Sequence, residues 1–265
     1  MSHQEYPTGI GTSDQDHISV LGHDLASELL GQVGFGELAY WLATKRRPTP
    51  GQLKVFETVL VALADHGLTP TAIAARMTYY SAPDSVQGAI AAGLLGGGSR
   101  FLGVTEDTGK YLHEVLAHIP DDADLDDAAW DRVARDAVAR TVSNGQKVPG
   151  LGHPVHKQGD PRTAVIFRIA KASGVYGRHL ALLDAIGRVH VPLVGRELPV
   201  NGAGVSGAAL LDAGLPLELL RGFALLARTA GLIGHLAEER ITPIAPSIYA
   251  EVDRHAVYRP PPTST

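Results

Sequence analysis

Between Val148 and Arg162 the chain reads VPGLGHPVHKQGDPR, placing two histidines, a lysine and an Asp-Pro-Arg turn in one short stretch. Imidazole gives or takes a proton near neutrality, and a guanidinium grips a carboxylate through two parallel hydrogen bonds. Pro149, Gly150, Gly152, Pro154, Gly159 and Pro161 forbid regular helix through most of the stretch, so its polar groups belong to an ordered loop of the kind that lines a site. Elsewhere, Ala64-Asp65-His66-Gly67 closes an apolar helix, where His66 complements the helix dipole and Gly67 suits a left-handed cap. Arg228 sits inside the most apolar helical stretch and needs an anion, either a protein carboxylate or a ligand one. His235, on the same face, reads as a packing histidine. Gly202 to Gly207, GAGVSG, matches G-x-G-x-x-G literally, but no βαβ unit frames it. Small residues that let a helix start close to a neighbour are the better reading. The pairs His113/His118 and His153/His156 lack the carboxylates of a metal site, and no metal is expected.

These groups need elements to hold them, and the apolar residues recur mostly at intervals of three and four. Leu53, Phe56, Leu60 and Leu63, with Val59 beside them, mark one face of a helix within Gln52 to His66. The same period predicts helices over Asp24–Leu30, Phe35–Arg46, Thr71–Tyr80, Val86–Leu95, Leu112–His118, Ala128–Val142, Ala164–Ala172, Tyr176–Ile186, Val205–Ala213 and Gly222–Arg240. The best strand candidate, Arg188 to Val200, carries two prolines and a glycine, which argue against a central strand. An all-α fold is expected. Asp121 to Asp127 reads as a solvated loop leading into a helix at about Asp126. A length of 265 residues admits one large domain or two modest ones. The absence of cysteine excludes disulfides, thiolate metal sites and a cysteine nucleophile, and suits the cytoplasm. A net charge of -5 with scattered basic residues argues against nucleic acid, and no apolar run reaches the length of a membrane span.

Taken together and in this order, Ala-Asp-His-Gly at 64–67, Gly-Leu-Gly-His-Pro-Val-His-Lys-x-x-Asp-Pro-Arg at 150–162, Leu-Pro-Val-Asn at 198–201 and Ala-Arg-Thr-Ala-Gly-Leu-Ile at 227–233 resemble the citrate synthase superfamily, most closely its short bacterial citryl-CoA lyase-like branch. The resemblance covers roughly residues 18 to 245. It implies a citrate synthase-like, homodimeric all-α fold with a large helical domain (18–104 and 197–258), a smaller inserted helical domain (105–196), a flexible leader (1–17) and a disordered tail (259–265). The two domains of such proteins close over an acyl-CoA and a dicarboxylate or 2-oxoacid. The CoA thioester is a substrate, and no cofactor is bound permanently.

Carried over residue by residue, the resemblance assigns His66 and His153 to the oxaloacetate part of the substrate, with His153 exchanging the proton on the carbonyl that becomes the tertiary alcohol. Arg162 and Arg228 match carboxylate-binding arginines. Lys157 falls where a basic residue meets CoA phosphate, and Val148, Gly150, Leu151 and Gly152 would border the adenine. There are also departures. Ala203 stands where the family has the carboxylate that moves the acetyl proton, and Phe101 or Leu102 where it has a histidine on the thioester oxygen. A third arginine expected near 242–246 is missing, with Arg240 as a substitute. The implied activity is a citryl-CoA lyase-like or citrate synthase-like C–C bond cleavage or formation, with Glu106, Asp107 or water replacing the missing acid. The alternatives are a non-catalytic acyl-CoA and dicarboxylate binder, and a thioester hydrolase or condensing enzyme of altered substrate.

Overall fold

The computed structural model describes residues 5–261, so the outer ends of the expected leader and tail lie outside the described residues. In chain order the helices are α1 (Phe35–Thr44), α2 (Pro50–Ala64), α3 (Pro70–Ser81), α4 (Val86–Leu95), α5 (Val104–Leu116), α6 (Asp127–Ser143), α7 (Pro161–Ala172), α8 (Arg178–Val189), α9 (Val191–Val194), α10 (Gly202–Asp212), α11 (Leu220–Ile241) and α12 (Ala245–Arg254). The fold is helical, as the periodicity predicts. No helix among the described residues is long and apolar enough to cross a membrane. Two compact units are present: Met1–Ala62 with Val104–Gly222, and Leu63–Gly103 with Phe223–Thr265.

The first unit opens with a small antiparallel sheet, β1 (Gly11–Ser13), β2 (Ile18–Val20) and β3 (His23–Asp24), in the order β1-β2-β3. Part of the expected leader is therefore a strand. The Asp14 carboxylate makes its turn by accepting the Asp16 and His17 N–H groups at 2.9 and 2.8 Å. The helix expected over Asp24–Leu30 is a single π-helical turn, Leu25–Leu29, capped by Asp24. Arg188 to Val200 finishes α8, forms α9 and contributes one isolated bridge, Leu151 to Val200.

The core of this unit runs through Leu180, Leu182, Leu183 and Ile186 of α8, Leu112 of α5 and Val205, Ala208, Ala209 and Leu210 of α10, all fully buried. Helix α10 packs on α5, α7 and α8, and its glycines permit the approach. A Cβ at Gly207 would collide with the Thr105 carbonyl, and one at Gly204 would lie 2.6 Å from the Gly150 Cα. The G-x-G-x-x-G match is thus close helix packing. Helix α5 begins well before the expected Leu112, because its first turns bury Thr105, Thr108 and Gly109 in place of an apolar stripe.

In the second unit α3 packs on α4 and α12 on α3. Ala72, Ala75, Ala89, Leu232 and Leu236 form its buried cluster. Small residues again set the spacing: a Cβ at Gly93 would lie 2.7 Å from Leu232 and 2.9 Å from the Thr71 carbonyl oxygen.

Candidate functional site

In the first unit, the loop after Val148 is pinned to the residues leading into α10. Gly152 N–H donates to the Pro199 carbonyl at 2.7 Å, and Asn201 N–H to the Gly150 carbonyl at 2.9 Å. The Asn201 side chain completes the clip: Nδ2 donates to the Gly152 carbonyl and Oδ1 accepts the Gly204 N–H, both at 2.8 Å, so one amide fixes the loop and caps α10. Gly150 and Gly152 adopt φ of +83° and +80°, the left-handed region that glycine enters without strain.

Asp160 caps α7, with Pro161 as the first helical residue. Its buried carboxylate accepts Arg162 Nε at 2.9 Å, Arg162 Nη2 at 2.7 Å and the Gly202 N–H at 2.7 Å. Burial alone would raise its pKa, but the Arg162 side chain and the Gly202 and Arg162 N–H groups outweigh it and hold Asp160 far below the usual carboxylate range. Arg162 Nη1 donates to the Ala62 carbonyl at 3.2 Å. The arginine expected to grip a substrate carboxylate thus grips Asp160 in this structure.

His153 is half-buried. Its Nδ1 accepts the N–H groups of Val155 at 3.1 Å and His156 at 3.0 Å. In the neutral ring the proton must therefore reside on Nε2, leaving that atom as the donor. The His156 ring lies 4.5 Å away, centroid to centroid. A cleft of about 530 Å³ is lined by His153 together with Val148, Leu151, Gly152 and Lys157, and by Lys147, Arg196 and Glu197. Gly150 does not line it; a Cβ there would meet Thr108 and Gly204. Three cations against the one carboxylate of Glu197 leave this cleft net positive, which suits phosphate.

In the second unit Arg228 finds its protein carboxylate: Nη1 stands 3.5 Å from Asp65 Oδ1, and the same oxygen lies 2.9 Å from His235 Nε2. Asp65 Oδ2 accepts the Gly67 N–H at 2.8 Å, closing the turn that carries half-buried His66, with Gly67 at φ +71°. Burial opposes ionisation of Asp65, yet the Gly67 N–H and His235 keep its pKa below the ordinary value. His235 is more than packing. Its Nδ1 faces Arg76 Nε at 3.2 Å, and Arg76 Nη1 donates to Glu239 at 3.0 Å.

The positions expected to depart from the family pattern are equally definite. Ala203, half-buried, is the second residue of α10. Phe101 and Leu102 lie in the turn that closes Gly98 O to Gly103 N–H at 2.9 Å, with Phe101 exposed and Leu102 at φ +69°. Arg240 is exposed in the last turn of α11. Glu106 is a poor substitute acid, because hydrogen bonding from Lys110 at 2.5 Å, joined by Arg221 at 2.6 Å, outweighs burial and lowers its pKa. Sequence reasoning missed Lys147, Arg196, Asp160, Asn201, Arg76 and Glu239 as parts of these constellations. Lys147 and Arg196 flank the loop and the Leu-Pro-Val-Asn fragment, which was a usable signal. Arg76 carried none, since an arginine in a helix ordinarily reads as solvated.

Comparison with known proteins gives a consistent pattern. The family model described as citrate synthase, C-terminal domain, matches residues 13–247. A citrate synthase of Deinococcus radiodurans is 28% identical over 228 residues, covering 82% of this chain and 55% of the relative. The chain spans about half the length of the curated relatives it matches, 50% and 55% for the first two. The solved citryl-CoA lyase from Hydrogenobacter thermophilus superposes with a TM-score of 0.84 at 27% identity, covering 99% of this chain and 97% of that one. The ATP citrate lyase from Methanothrix soehngenii, solved in complex with citrate and coenzyme A, gives a TM-score of 0.79 at 19% identity, covering 99% of this chain and 43% of that one, a likeness of fold.

Proposed function

Because the chain belongs to the citrate synthase family, we propose that it is a citryl-CoA lyase-like enzyme, cleaving or forming the C–C bond between an acyl-CoA and an oxaloacetate-like 2-oxoacid. The observation that carries this reading is the His153 ring, whose Nδ1 accepts two backbone N–H groups and whose proton is thereby directed to Nε2. An Nε2–H donor polarises the ketone of the 2-oxoacid in the condensing direction. In the cleaving direction it stabilises the alkoxide from which the bond breaks. In this reading His66, with His153, holds the oxaloacetate part of the substrate, and Arg228 and Arg162 meet its carboxylates, Arg162 by exchanging part of its pairing with Asp160. Lys157, with Lys147 and Arg196, meets the CoA phosphates, and Val148 to Gly152 border the adenine. The inserted-domain division, domain closure and a homodimer carry over from the resemblance as parts of the same proposal.

Ala203 stands in place of the family carboxylate, so water or Asp107 supplies the acetyl proton, Glu106 being held as an anion by Lys110 and Arg221. General acid–base catalysis contributes about 10² to 10⁴-fold, and turnover is correspondingly slow. The same observation favours a second reading, an acyl-CoA and dicarboxylate binder without turnover. Incubation with citryl-CoA, with malyl-CoA, and with acetyl-CoA plus oxaloacetate, followed by mass spectrometry, separates them. Oxaloacetate and acetyl-CoA released from citryl-CoA, and lost in His153→Ala, are the expected outcome. Free citrate would mean thioester hydrolysis, and binding without product would leave the second reading.

A further inference from the structure

Arg76 is 1% exposed, lies outside every motif, and has no role in the proposed reaction. Its guanidinium meets Glu239 Oε2 through Nη1 at 3.0 Å and Glu238 through Nη2, while Nε and Nη2 face His235 Nδ1 at 3.2 and 3.0 Å. A guanidinium offers donors only, so His235 Nδ1 must be the acceptor and the neutral ring carries its proton on Nε2. The 2.9 Å contact between Nε2 and Asp65 Oδ1 therefore runs from histidine to carboxylate. A proton on Nδ1 would set N–H against N–H at Arg76, so in the bond at Nε2 Asp65 is the acceptor.

Asp65 divides its two oxygens between the two groups assigned to the oxoacid. Oδ2 accepts the Gly67 N–H at 2.8 Å and fixes the His66 turn, while Oδ1 stands 3.5 Å from Arg228. At the far end, Glu239 Oε1 accepts the Ile244 and Ala245 N–H groups at 3.0 and 2.8 Å, where α12 begins. A buried ion pair such as Arg76–Glu239 is commonly matched in stability by apolar packing, so stability alone does not account for this one. We propose that Arg76 and His235 are positioning residues of a donor chain that runs outward from Arg76, to Glu239 on one side and through His235 to Asp65 on the other, and that orients Arg228 and His66 together for a carboxylate-bearing ligand.

The inference rests on the proposed binding roles of His66 and Arg228. Its test uses the full chain, ¹⁵N-histidine NMR for the tautomer, and calorimetric titration with oxaloacetate, citrate and CoA. The expected result is an Nε2-protonated His235 and a loss of about tenfold or more in oxaloacetate affinity for His235→Leu, with CoA affinity unchanged. His235→Gln, which keeps an N–H donor for Asp65, recovers most of the loss. A proton on Nδ1 overturns the proposal. So does a His235→Leu protein that is less stable yet binds oxaloacetate like the wild type. An Nε2 tautomer in a wild-type protein that binds neither oxaloacetate nor citrate refutes the functional reading instead, and the purpose of the chain with it.

Discussion

Asp160–Arg162 in the first unit and Asp65–Arg228 in the second are the same chemical pair built in opposite ways. In the first, the partners are two residues apart, the carboxylate is the sealed member at 0% side-chain exposure, and the guanidinium meets it at 2.9 and 2.7 Å. In the second, the sequence separation is 163, the guanidinium is the buried member at 5%, and the carboxylate, 49% exposed, stands off at 3.5 Å. A pair closed by a helix cap and adjacent residues holds itself. A pair assembled from distant helices needs others to set it, and Arg76, His235 and Glu239 do so. The contrast also separates the two arginines: a ligand at Arg162 must displace a bidentate internal partner, whereas the contact between Arg228 and Asp65 is long and half-solvated.

The largest expected effect breaks the long-range cluster. Arg76→Met leaves Glu239 buried without its cation and should cost about 3–5 kcal/mol in urea unfolding followed by far-UV circular dichroism. Trp41 and Trp130 both belong to the first unit, so their fluorescence should shift less than the dichroism. Equal shifts in both signals would show that the two clusters do not act as separate stability elements.

Next in size, Asp160→Asn should cost about 2–3 kcal/mol and appear directly in tryptophan fluorescence. Its pH dependence has a definite sign. The folded-state pKa of Asp160 lies below the ordinary 3.8, so its stabilisation is complete above that value and is lost as pH falls further. The variant should therefore lose less stability on acidification below about pH 4 than the wild type does. Identical acid limbs would mean that the Arg162 pair does not govern this region.

The smallest effect belongs to Asn201→Ala, which removes a helix cap and the clip on the loop, at about 1–2 kcal/mol. It should also weaken CoA binding by calorimetry. Unaltered CoA affinity would separate the clip from the 530 Å³ cleft.

Most helices and the chemistry-bearing loop were legible because their signals are local: an apolar residue every three or four positions, and glycines and prolines packed around histidines. The apolar period marks only Leu112–His118 of α5, because Thr105, Thr108 and Gly109 form the buried stripe of its first turns without being apolar. Of the sheet only β1 falls within the expected leader, because Gly11-Thr12-Ser13 carries no apolar alternation that would announce a strand. Arg228 announced its need for an anion, and Asp65 was visible in its own motif, but joining them required contacts across 163 residues. Arg76 reaches His235 across 159, and no local pattern distinguishes it from a solvated arginine.

The contact of Gly204 with Gly150, where even a single Cβ would lie 2.6 Å from backbone, has a consequence for the heat of binding. With Gly150 against Gly204, the Asn201 amide clipping the loop to the helix, and Gly150 and Gly152 already left-handed, the loop has little freedom left to surrender when a ligand arrives. Association at this cleft should carry a small ordering penalty, and the entropy of CoA binding should be dominated by released water.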